Sequence, residues 1–194
     1  MKKAILISIV VFVILVPLSV FLAFEGAFDE KYSRESLTRN FVEHEHEFAD
    51  VAAFFEAHLS KNENFGVSFG LGRRGSVNLH IFPDIVDPAN KTIGGDDLEI
   101  GSLQLDSTIA KLGWTNEILK KLRGKLAGTN CDWIRTLDGQ GDKIEIYPSQ
   151  SGWGSFTYSI YQRAIADSLV KTYGSPIGKS GFGERVVLNY SAAL

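Results

Sequence analysis

The side chains best suited to chemistry are one cysteine, Cys131, and four histidines, His44, His46, His58 and His80. A thiol beside an imidazole makes a nucleophile and its base. Cys131 sits in Asn130-Cys131-Asp132-Trp133-Ile134, which reads as a strand, and a lone free thiol is usually interior. The expectation is therefore a packed Cys131, with Cys131 and His80 the pair to inspect for hydrolytic chemistry.

Several other patterns spell chemical motifs without the structure those motifs need. Glu43-His44-Glu45-His46-Glu47 invites a metal reading, but His44 and His46 point to opposite sides of a helix. Glu43 and His46 have the i, i+3 spacing of a di-metal bundle, yet no second copy of the pair occurs on another helix. Gly70-x-Gly72-x-x-Gly75 carries the letters of a dinucleotide fingerprint, which requires a helix after the third glycine. Ser76 to Phe82 reads as strand instead. Gly174-Ser175-Pro176-Ile177-Gly178-Lys179-Ser180 is one residue short of a phosphate loop and also lacks the helix that such a loop opens. Ser168-x-x-Lys171 has no Ser-Asp-Asn or Lys-Thr-Gly companion. Asp84, Asp87, Asp96 and Asp97 do not fall at the alternating spacing of a calcium loop. No catalytic, cofactor-binding or metal-ligating residue is assigned, and no cofactor or nucleotide is expected.

Location is more legible than chemistry. Ala4 to Phe24 contains 21 residues without a charge. At about 1.5 Å per residue a helix of that length matches a hydrocarbon core of about 30 Å. A secretory signal has a shorter apolar region and a small-x-small exit, so the length favours an uncleaved anchor over secretion after cleavage. Lys2 and Lys3 hold the N-terminus on the cytoplasmic side, so the chain beyond the run is exported. Two of the 20 basic residues precede the run, which leaves 18 against 23 acidic ones and a formal charge of −5 beyond it. That balance argues against a nucleic-acid partner. The expected organisation is a cytoplasmic tip and membrane anchor at 1–24, a linker at 25–35 and one exported domain at 36–194.

Apolar periodicity supplies the elements of that domain. Leu37, Phe41, His44, Phe48, Val51, Phe55 and His58/Leu59 form one stripe, predicting a single helix from Ser33 to Leu59. Asn64–Leu71 and Ser76–Phe82 alternate as a hairpin, and a surface loop runs from Pro83 to Gly95. Asp106–Leu112 is a short helix; Thr115 caps another running to Ala127, with Ile118, Leu119, Leu122 and Leu126 inward and Lys120, Lys121, Arg123 and Lys125 outward. Strands are expected at Cys131–Leu137, Lys143–Tyr147, Ser155–Tyr161 and Arg185–Tyr190, with a helix over Arg163–Tyr173 stopped by Gly174. The fold class is α+β: an N-terminal transmembrane helix, then a largely antiparallel sheet of about six strands packed by three to four helices.

Leu112-Gly113-Trp114-Thr115-Asn116-Glu117, the Leu/Lys helix after it and Asn130-Cys131-x-x-Ile134 resemble a group of small uncharacterised bacterial envelope proteins. Gly152-Trp153-Gly154, Phe156-Tyr158-Tyr161, Asp167-Ser168-Leu169 and Val186-Val187-Leu188 extend the likeness, while Asn189 and Tyr190-Ser191 depart from its more acidic, glycine-rich end. The resemblance implies a shared fold and an envelope setting and transfers no catalytic residue. The resulting expectation is a membrane-tethered, non-catalytic envelope protein: a binding or structural module that meets an envelope protein partner near Arg73-Arg74 or the Trp153 segment, Trp153 to Tyr158. Its alternative is a small-molecule-binding or hydrolytic domain with an unrecognised site.

Overall fold

In the computed structural model, residues 32–59, 64–69, 76–82, 93–136, 143–148, 154–165, 170, 174–178 and 181–192 are described. Their order is α1 (Arg34–Glu43), α2 (Glu45–His58), β1 (Asn64–Phe69), β2 (Ser76–Phe82), β3 (Ile93–Glu99), α3 (Leu103–Ala110), α4 (Asn116–Gly128), β4 (Cys131–Thr136), β5 (Lys143–Pro148) and β6 (Gly154–Tyr161). A short 3-10 helix (Gly181–Arg185) and β7 (Val186–Ala192) complete it. The strands form one seven-stranded sheet in the order β3-β2-β1-β4-β5-β6-β7, with every neighbouring pair antiparallel. The class is α+β, with one more strand than the sequence suggests.

Three helices begin where a hydroxyl takes up an orphan N–H. Ser33 Oγ accepts from Ser36 N at 3.1 Å, Ser102 Oγ from Leu105 N at 3.2 Å and Thr115 Oγ1 from Ile118 N at 3.4 Å. Ser102 starts α3 at Leu103, earlier than the apolar spacing alone places it. Leu119, Leu122 and Leu126 of α4 are buried as expected, and Ile118 packs partly against them.

The long first helix is instead two. His44 leaves helical geometry at φ −124°, ψ 26°, and its N–H donates to Asn40 O at 3.1 Å. The stripe nevertheless survives the break, because Leu37, Phe41, Phe48, Val51 and Phe55 are all buried on the sheet. The Phe41 and Phe48 rings sit 5.3 Å apart across the bend, and Tyr158 of β6 lies 4.6 Å from Phe48.

The extra strand, β3, occupies ground where a loop to Gly95 is expected. Gly94, Gly95, Asp96 and Asp97 are poor strand formers, so local propensity predicts nothing there. Pairing with β2 overrides it: Ile81 faces Ile93, and Val77 faces Leu98 across a register shift. Asp97 takes φ +53° at that irregularity, and its N–H donates to Asn78 Oδ1 at 2.7 Å.

All four helices share one core with one face of the sheet, through Val67, Phe69, Val77, Leu79, Ile134, Ile144, Ile146, Tyr158, Ile160, Val186 and Leu188. Polar pins hold α1 on this face. Tyr158 Oη donates to Leu37 O at 2.8 Å, while Asn40 Nδ2 donates to Thr129 O at 3.0 Å and Asn130 Nδ2 to Asn40 Oδ1 at 2.8 Å. The expected membrane span at 4–24 lies outside the described residues, as does most of the expected helix at Arg163–Tyr173, whose described start, residues 163–165, is not helical. Among the described residues no helix is long and apolar enough to cross a membrane.

Candidate functional site

Strand side chains alternate between faces, so the residues between the core positions look away from the four helices. In β4 and β5 these are Trp133, Arg135, Lys143, Glu145 and Tyr147, and strand register brings them together. Trp133 stands opposite Tyr147 and Arg135 opposite Glu145. The two rings stack at 4.2 Å with an interplanar angle of 21°, and the Arg135 guanidinium lies 5.2 Å from one and 4.9 Å from the other. Small residues flank this ridge: Gly66 and Ser68 of β1 on one side, Thr157 and Ser159 of β6 on the other, all buried.

Glu145 anchors the cluster. Arg135 Nε donates to its Oε2 at 2.8 Å, Tyr147 Oη to the same oxygen at 2.7 Å, and Lys143 Nζ to Oε1 at 3.0 Å. Burial opposes the charge, but the bonds from Tyr147, Lys143 and Arg135 outweigh it and hold the carboxyl below its usual range. Burial and the Glu145 charge together push the Tyr147 phenol upward, so it stays a donor.

Buried side-chain atoms without a hydrogen-bond partner among the described residues are Asn116 Oδ1, Thr136 Oγ1 and Trp133 Nε1. Of these, only Trp133 Nε1 belongs to this face. Arg135 is bonded through Nε, which leaves Nη1 and Nη2 without an acceptor among the described residues. Leaving the buried Trp133 N–H unpaired costs about 1–3 kcal/mol, whereas the Arg135 side chain is 24% exposed and its Nη atoms are not among the buried unpaired ones. The cluster contains no activated nucleophile; Tyr147 and Glu145 are buried, and Trp133, Arg135 and Lys143 are its half-buried members.

The residues singled out by sequence are scattered. Cys131 is 4% exposed, its Sγ donates to Thr129 O at 3.4 Å, and burial pushes its thiol up to about 12. The backbone of His80 is placed well away from that of Cys131: it faces Gly66, which faces Arg135, two strands across and four residues along from Cys131. That backbone offset is roughly 16 Å at ordinary strand spacings. Trp114 is a core residue, its Nε1 donating to His58 O at 2.7 Å. Lys120 and Lys125 on α4 pair with Glu117 and Asp50 at 3.5 and 3.4 Å.

His44 Nδ1 lies 2.9 Å from Asn40 O, and among the described residues no group of three metal-capable side chains converges. The dinucleotide look-alike, whose three glycines lie outside the described residues, is followed by strand β2. Two glycines near the phosphate-loop look-alike have a structural use: a Cβ at Gly178 or Gly183 would collide with the other's backbone, and Gly183 N donates to Glu45 Oε1 at 3.0 Å. Arg73, Arg74, Trp153, Ser168, Lys171, Asp84 and Asp87 lie outside the described residues.

Sequence reasoning passed over Trp133, Arg135, Glu145 and Tyr147. The available signal was their parity, aromatic and charged residues at alternate positions on both arms of one hairpin. Comparison with protein-family models, curated protein sequences and solved structures found no match.

Proposed function

We propose that this chain is a membrane-tethered binding module of the cell envelope, with its domain facing away from the cytoplasm. Its recognition surface is the sheet face around Trp133 and Arg135. The anchor rests on the uncharged run Ala4–Phe24 behind Lys2 and Lys3, and the resemblance that begins at Leu112 agrees with an envelope setting. The observation that carries the binding role is the stacked Trp133–Tyr147 pair with the part-exposed Arg135 guanidinium against it, whose Nη atoms have no acceptor among the described residues, and the buried, unpaired Trp133 Nε1 beside them. A face of this kind recognises a partner through acceptor groups, with the rings supplying contact area.

Crosslinking of the full-length protein in intact cells tests the role. Trp133→Phe removes the N–H and keeps a ring, and Arg135→Gln removes the fork. Loss of a specific captured envelope component in both variants, at unchanged protein level, is the expected result; capture unaffected by either would discard this surface. Reporter fusions at the C-terminus test the topology separately, and activity of a cytoplasm-only reporter there would reverse it.

A further inference from the structure

The two edges of the sheet differ in how they meet solvent. Edge strands offer unpaired N–H and C=O groups to any passing strand, and proteins blunt them with charge, proline or a bulge. The β3 edge is blunted: it carries Gly94-Gly95-Asp96-Asp97, a register shift against β2 and Asp97 at φ +53°. The β7 edge is not. Val186-Val187-Leu188-Asn189-Tyr190-Ser191-Ala192 has no charge and no proline, and its ladder to β6 runs without a register shift. Among the described residues, the one bond to β7 backbone from outside that ladder is Ile177 N to Val186 O at 2.9 Å, at the strand's first residue.

We propose that β7 pairs antiparallel with β7 of a second copy, joining two sheets into one across a two-fold axis. Three observations favour a second copy over an unrelated strand. The segment is uncharged, so two-fold pairing sets no like charges against each other. Tyr190 is 56% exposed with its ring 5.0 Å from Phe156, which leaves an aromatic pair at the edge to meet its symmetry mate. The other edge is guarded, so one pairing exhausts the open edge and the assembly closes as a dimer instead of growing into a fibre.

Sedimentation equilibrium of the full chain in detergent gives the first reading. Twice the protomer mass of 21.4 kDa is expected at micromolar concentration. A monomer across the accessible range overturns the proposal. Tyr190→Lys places a charge on each edge at the contact and is expected to raise the dimer dissociation constant at least tenfold.

Amide exchange separates dissociation from unfolding. In the Tyr190→Lys variant the outward-facing amides of β7 exchange fast while those bonded to β6 stay protected. Tyr190→Cys supplies the independent check, since Cys131 is buried and does not compete. A disulfide-linked dimer under mild oxidation is expected, and its absence, or a dimer equally tight in Tyr190→Lys, means that β7 is not the contact.

Discussion

The two faces of the sheet are built from the same strands by alternate residues, and they are held together in opposite ways. The helix side is aliphatic and aromatic, closed by Phe41, Phe48, Phe55 and the inward residues of β1, β2 and β4 to β7. The other side centres on one carboxylate, Glu145, with three donors on it and a ring pair beside it. The first face stabilises by non-directional burial, which tolerates small errors of position. The second depends on directed bonds around a single charge, where loss of one partner leaves the others unsatisfied. Stability should therefore answer mainly to the first face, and pH response to the second.

The sharpest break of that contrast is Phe48→Ala. Phe48 is fully buried at the meeting of α2, α1 and β6, its ring within 5.3 Å of Phe41 and 4.6 Å of Tyr158. Truncation removes transfer energy and leaves a cavity, so a loss of about 3–5 kcal/mol is expected. Urea denaturation at neutral pH measures it. A loss no larger than that of Glu145→Gln would mean that the helix-side core is looser than its packing indicates.

Glu145→Gln is the second in size and differs in kind. At neutral pH it removes charge-assisted bonds to Arg135, Lys143 and Tyr147, for an expected cost of about 1.5–3 kcal/mol. The folded-state value of this carboxyl lies below its unfolded one, so its contribution is complete above the unfolded value, about 4.3, and fades as pH falls through the folded value. The native protein should lose stability over that acid window, and the Gln variant should lose less. Equal slopes in denaturation midpoints between pH 5 and pH 2 would show that Glu145 is not held ionised by its neighbours.

The same contrast explains which parts of the molecule could be read in advance. The stripe through Phe41, Phe48 and Phe55, the Thr115 cap and the β1–β2 hairpin are written in local spacing, because burial on one side imposes a period on neighbouring residues. The break at His44 leaves no such mark, since the stripe runs through it unchanged. Strand β3 was hidden because its stability comes from β2 and not from Gly94 to Asp97 themselves. The polar face was hidden for a related reason. Trp133 with Tyr147, and Arg135 with Glu145, become neighbours only through the register of a hairpin, and register cannot be read from either strand alone. Alternation suffices to put Trp133 with Arg135, and Glu145 with Tyr147, on one side of each strand; it could not say that one carboxylate served them all.

The smallest expected effect belongs to Cys131, which sits on the helix side and carries the thiol that the sequence offers as a nucleophile. Cys131→Ser keeps side-chain size and replaces a weak donor with a stronger one, 3.4 Å from the Thr129 carbonyl in the native protein. Burying a hydroxyl without a partner would cost about 1–3 kcal/mol, and the bond to Thr129 O offsets most of that. The net change should fall below about 1 kcal/mol, smaller than either substitution above. Because burial pushes the thiol up to about 12, thiolate is scarce at neutral pH, and a thiol reagent must wait for the domain to open. Labelling of the native protein should run at least a hundredfold slower than in denaturant, and mild urea should accelerate it. Fast labelling in the native state would place Cys131 outside the core and return it to consideration as a nucleophile.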